Sequence, residues 1–190
     1  MSNSQKQIKT IVFIAIYVAI TLALDVAKES LGFLEMPQGG SINIALIPVV
    51  LASFHLGPML GMAVGAIWMI APFIIMPSSF YFSAINMPLG VLCDYIIPSV
   101  IIGAASFIFI KKENIFTMEA GIVITMLIRI ASLVASGVYA WPNDVAAGSK
   151  EALIGSLSYN LPYSLATMAV LMVVVPLIYK ALAKQMKAFK

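Results

Sequence analysis

Cysteine and histidine are almost absent from this chain, which has one of each, Cys93 and His55. A lone cysteine excludes an intrachain disulfide, and one thiol and one imidazole far apart in sequence make no metal-ligand cluster, so metal and redox chemistry are not expected. The same scarcity excludes a Ser–His–Asp or Cys–His catalytic set, and no GxxxxGK[ST] phosphate loop occurs. Charge is scarce too, at 10% of 190 residues against 62% hydrophobic residues. With a mean hydropathy of +1.03, too little polar surface remains to cover a soluble globule. Long apolar runs, in place of ten-residue alternation, exclude a membrane β-barrel. What is left is an all-α integral membrane protein, read as a single membrane domain over residues 1–190. The N-terminus lacks a short apolar core with a small-residue cleavage site, so the first apolar run reads as a retained helix.

Six apolar runs follow one another, over residues 11–27, 42–54, 59–76, 82–110, 117–139 and 152–182. The second is short for a perpendicular span, which needs about twenty residues, and the His55 that follows it is placed at the water boundary. In the first run Ala15, Ala19, Ala23 and Ala27 recur at every fourth position. Such a stripe lets another helix approach closely, either inside the bundle or as a docking surface for a second membrane protein. Gly57, Gly61 and Gly65 form a similar stripe at the third run. Six spans put both termini on one side, together with Lys6, Lys9, Lys111, Lys112, Lys180, Lys184, Lys187 and Lys190, against Lys28 and Lys150 on the other. The positive-inside rule makes that side cytoplasmic. The basic tail adjoins a span and lacks interleaved aromatics, so it reads as a segment facing lipid headgroups, with no nucleic-acid role.

Asp94 interrupts the fourth run and Arg129 the fifth. An ionisable group at membrane depth costs about 2.5–3.5 kcal/mol even on lenient insertion scales, and such groups face a cavity, a partner or a substrate. Counted from Phe82, Asp94 lies about 18 Å down its helix, at a depth similar to Arg129. An Asp94–Arg129 ion pair and a functional site are both open on this reading. Pro88 and Pro98 are expected to bend the helix around the acid and free carbonyls that only protein or cavity water satisfies. Tyr95, Trp141, Tyr159, Asn160 and Tyr163 would bring aromatic faces and an amide to the same level, a set suited to a flat, polar, cationic small molecule. Without an ATP site or a second repeat, a binding subunit that relies on a partner fits better than a self-sufficient pump.

Several separated motifs carry a family resemblance: Pro37-Gln38-Gly39-Gly40-Ser41, Ile47-Pro48, the glycine-spaced third run, Asp94-Tyr95 with Gly103, Arg129 with Gly137 and Trp141, and Ser156-Leu157-Ser158-Tyr159-Asn160. Over nearly its whole length the chain resembles the thiamine-binding S components (ThiT type) of energy-coupling factor (ECF) vitamin importers. The resemblance implies a six-helix protein of the bacterial plasma membrane that captures a vitamin from outside. It implies docking on a shared module of one coupling protein and two ATPase subunits, so that ATP is used by the partners and this chain carries no cofactor. It assigns Ala15, Ala19 and Ala23 to contact with the coupling protein. Asp94 stands where such proteins have an acid, usually Glu, facing the cationic vitamin, and Tyr95, Trp141 and Asn160 match binding positions. Leu133 replaces a binding His, Gly155 replaces a Tyr, and Gly39 stands near the place of a loop Trp. Tyr139, Tyr159 and Tyr163 are the rings at hand to compensate. Thiamine is the expected ligand, with hydroxymethylpyrimidine or pyridoxine as alternatives within transport and a partner-independent intramembrane enzyme as the alternative outside it. The topology has a direct check: a C-terminal green fluorescent protein fusion should fluoresce and an alkaline phosphatase fusion should be inactive. The reverse pattern would refute cytoplasmic termini.

Overall fold

The computed structural model describes residues 3–29, 34–37, 40–75, 85–109, 114–142 and 144–187. The gap at 77–81 between the third and fourth apolar runs, Lys111, Lys112, Lys190 and the Gln38-Gly39 pair lie outside the described residues. Among the described residues there are six helices: α1 Asn3–Glu29, α2 Leu46–Leu56, α3 Pro58–Ile75, α4 Met87–Phe107, α5 Ile115–Tyr139 and α6 Lys150–Lys187. No strand occurs among them, only an isolated antiparallel bridge between Glu35 and Ser41 in the first loop. Helices α1, α4, α5 and α6 are long and apolar enough to cross a membrane. Helix α2 has 11 residues, about 16 Å against a hydrocarbon thickness of about 30 Å.

Local chemistry sets the helix ends. Asn114 and Thr117 close a capping box at the start of α5, the Thr117 N–H donating to Asn114 Oδ1 at 2.9 Å, which satisfies a donor that the first turn leaves open. Ser149 does the same for α6, accepting from the Ala152 N–H at 3.1 Å. Gly57 separates α2 from α3 at φ +97°, a conformation that a side chain resists. Ser53 and Gly61, each four residues from that turn, then meet face to face. A Cβ on Gly61 would also run into the Gly103 carbonyl of α4, and one on Gly65 into the Ser99 carbonyl. The fourfold glycine stripe therefore divides its work, with Gly57 turning the chain and Gly61 and Gly65 letting α4 seat against α3.

Helix α4 is not regular. Residues Val91–Ile96 form a π-helical turn, and Ile101–Phe107 tighten into a 3₁₀ helix. Of the two prolines expected to bend this helix, Pro88 falls in the first turn, where its missing N–H has no intrahelical partner to lose. Pro98 alone sits inside. Because the helix begins at Met87, Asp94 lies seven residues in, about 10 Å along the axis and not 18 Å. The Ile97 N–H reaches back five residues to the Leu92 carbonyl, and Pro98 has no N–H. Both neighbours thus bypass the Cys93 carbonyl, and the Ser132 hydroxyl of α5 fills the gap at 2.8 Å. Arg129, one turn earlier on α5, donates to the Pro98 carbonyl at 2.8 Å.

The core lies toward the end of the bundle that holds both termini. Leu46, Phe54, Ile102, Ile122, Met126 and Leu171 are fully enclosed there. Phe54, Phe109 and Tyr179 pack edge to face with centroids 5.1–6.1 Å apart. Polar pairs stitch the same region: Ser53 donates to Ser106 at 3.0 Å, and the Tyr17 hydroxyl meets His55 Nδ1 at 3.0 Å. His55 is therefore not at the water boundary. It is 3% exposed, because α1 lays Phe13 and Tyr17 over it. In lipid, where apolar burial drives little helix association, close packing and such hydrogen bonds hold the bundle. Gly61→Ala should lower the melting temperature in detergent, with overpacking costing about 1–3 kcal/mol. Gly155→Ala should raise it, since a Cβ there meets no atom within 4 Å and alanine favours the helix by up to about 1 kcal/mol.

Candidate functional site

At the other end of the bundle, a cavity of about 590 Å³ opens among α4, α5, α6 and the link before α6. Asp94 lines it from α4, Leu133 and Gly137 from α5, and Trp141, Pro142 and Val145 from the link. From α6 come Glu151, Ala152, Gly155, Ser156, Tyr159, Asn160 and Tyr163. Those α6 positions recur at three and four residues, one helical face turned to the space.

Asp94 is half-buried on the π-turn, and its Oδ2 accepts the Trp141 indole N–H at 2.7 Å. Ser136 is completely buried. Its hydroxyl stands beside the same carboxylate without a protein partner in good hydrogen-bond geometry.

The amide of Asn160 can be oriented from its neighbours alone. One contact, at 3.0 Å, is the Ser156 carbonyl, which only accepts, so the amide nitrogen must face it. The amide oxygen then faces Tyr163, and the tyrosine hydroxyl must donate, at 2.6 Å. Ser156 in turn donates to the Val134 carbonyl at 2.9 Å. The donors of Trp141, Ser156, Asn160 and Tyr163 are thus committed to protein acceptors. Carboxylate oxygens, a phenol oxygen and ring faces are left turned to the cavity, with Tyr159 and Tyr163 packed edge to face at 5.8 Å.

Five of the eight residues expected at the site, Asp94, Trp141, Tyr159, Asn160 and Tyr163, line this cavity. Tyr95 and Arg129 do not. They line a smaller space of about 160 Å³ that Asp94 also reaches, with Asp25, Trp68, Met69, Pro72 and Ser99. Tyr95 packs there on Phe73 at 5.5 Å. Among the described residues, Asp94 and Arg129 make no ion pair. The pair found is Lys28–Asp25, whose aspartate also accepts the Trp68 indole N–H at 3.1 Å. Tyr139 lines neither space and is 51% exposed, its ring edge beside Gly148. Leu133 and Gly155 both reach the cavity wall, so these two departures from the expected pattern fall on the cavity itself.

Residues 11–187 match the family described as thiamine transporter protein (Thia_YuaJ). The chain belongs to this family. It is also 28% identical to the thiamine transporter ThiT of Bacillus subtilis (strain 168) over 99% of both chains. Membership of a transporter family, with several apolar helices, makes this a multi-pass protein of the cell membrane. Its family is one of transporters.

Three residues that support or line this region were not among those expected from the sequence: Ser132, Ser136 and Glu151. The two serines had a signal. With Arg129 they stand at i, i+3 and i+7, one polar stripe along a span that is otherwise apolar. Ser132→Ala should leave the Cys93 carbonyl buried and unpaired at about 1–3 kcal/mol, lowering the melting temperature of the empty protein. Trp141→Phe, which keeps a ring but removes the donor to the half-buried Asp94 carboxylate, should also lower that melting temperature and weaken ligand binding about tenfold.

Proposed function

We propose that this chain is the substrate-capturing S component of an ECF-type importer, binding thiamine in the 590 Å³ cavity from the extracellular side. The observation that carries the reading is the chemistry of the wall, which is acidic, lined by rings, and has the donors of Trp141, Ser156, Asn160 and Tyr163 already engaged. Such a wall suits a flat cation that brings its own donors. Thiamine has a permanently charged thiazolium and an aminopyrimidine N–H₂ group. Hydroxymethylpyrimidine and pyridoxine lack the fixed charge and would leave Asp94 less well answered. With cytoplasmic termini, the cavity at the opposite end of the bundle faces outward. The family match and the relative's name support thiamine as the cargo.

The outer face of α1 supports docking on a coupling protein. Ala15, Ala19 and Ala23 all lie on its outer face, while Tyr17 and Thr21 turn inward. A stripe of small side chains on an uncovered face suits close approach by another helix. The two ATPase subunits of the module would supply the energy for release to the cytoplasm, and this chain would use no cofactor of its own.

Titration of the purified protein with thiamine should quench tryptophan fluorescence at submicromolar concentration. Asp94→Asn should weaken binding by at least about tenfold, as expected on removing one member of a partly desolvated charge pair. Absence of binding at about 100 μM thiamine would refute the assignment of cargo. Ala19→Leu should leave that titration unchanged and abolish thiamine uptake in cells that supply the module. Uptake at the wild-type rate would refute docking through this face.

A further inference from the structure

Glu151 is a second carboxylate of the cavity. It stands exposed in the first turn of α6 and lines the space together with Gly155 and Tyr159, one and two turns further along the same face. No Cβ projects at Gly155, and a Cβ built there would meet nothing within 4 Å. Along that stripe, therefore, no side chain stands between Glu151 and the interior. Asp94 lines the same space from α4, and no Lys, Arg or His is among the lining residues. Lys150 precedes Glu151 in the chain but does not reach the wall, and Asp144 in the link is exposed and acidic. The cavity thus has two formal charges of one sign, an exposed one at the rim and a half-buried one deeper in.

A space of this volume is about 10 Å across, close to the Debye length of about 8 Å at physiological ionic strength, so a charged group entering it passes through the field of Glu151. We propose that Glu151 is the charge-selecting residue at the mouth of the cavity: it speeds the entry of cations and slows the entry of anions, while Asp94 holds the cation once inside. This rests on the thiamine reading and adds a selection step to it. Thiamine and its monophosphate share a ring system and differ in the sign of their net charge, which makes them matched probes.

The test is stopped-flow tryptophan fluorescence on the purified full chain with thiamine and with thiamine monophosphate. For Glu151→Gln at about 20 mM salt, we expect the association rate of thiamine to fall about threefold and that of the monophosphate to rise, both effects fading by about 500 mM salt. The dissociation rate of thiamine should change less than about twofold, and Glu151→Asp should behave as wild type. Rates that move in the same direction for both probes, or a loss that persists at high salt or resides in dissociation, would overturn the inference and leave the thiamine reading standing. Failure of the wild-type protein to bind thiamine at all would overturn both.

Discussion

The site depends on one hydrogen bond, from the Trp141 indole N–H to Asp94 Oδ2 at 2.7 Å. A carboxylate inside a hydrophobic bundle is unfavourable unless donors or opposite charge meet it. Here a neutral donor from the link before α6 reaches the acid, and Arg129 stays on the Pro98 carbonyl. That division keeps the face of Asp94 turned to the cavity free of a competing guanidinium. The π-turn that presents the acid depends on α5 in turn, since Ser132 satisfies the Cys93 carbonyl that the irregular backbone leaves open. Helix irregularity of this kind persists in membranes only where protein or cavity water re-satisfies the freed groups.

The bundle is solid at one end and open at the other. Toward the termini, α2 is enclosed on nearly every side and the aromatic cluster of Phe54, Phe109 and Tyr179 fills the interior. Close backbone contacts at Gly61, Gly65 and Gly121 lock α3, α4 and α5 together. At the far end Gly137 lets Ser156 of α6 close against α5, while the small residues Ala152 and Gly155 leave room beside α6. A cavity wall carried on helices that are fixed below holds its geometry better than one built on loops alone.

Two departures from the expected pattern, Leu133 and Gly155, change the character of that wall. Leucine offers neither donor nor acceptor, and glycine offers no ring. What remains for recognition is negative charge, the faces of Trp141, Tyr159 and Tyr163, and acceptor oxygens oriented by the Ser156–Asn160–Tyr163 chain. On the proposed reading, charge and stacking carry more of the affinity here than a dense set of donated hydrogen bonds. The open stripe at Gly155 also joins the exposed Glu151 to the interior, so that a carboxylate at the rim acts on what enters.

The sequence alone determined the helical class, the six apolar runs and the place of a costly acid, Asp94, inside one of them, because hydropathy and the cost of a charge in lipid are properties of composition and order. It also grouped Trp141, Asn160, Tyr159 and Tyr163 with Asp94, although the depth counted from Phe82 was too great because the helix begins only at Met87. Tertiary structure decided the rest. Which way Arg129 turns, and that Tyr95 faces a different space from Asp94's main one, depend on how a π-turn rotates α4 against α5. Residue spacing assumes 3.6 residues per turn and carries no record of that extra residue. His55 was misplaced for a related reason: whether a helix end meets water or another helix is settled by what packs on it, and Tyr17 lies 38 residues away in the chain. Glu151 carries no signal of its own in the sequence, because only the packing of α6 against α5 opens its face on the cavity.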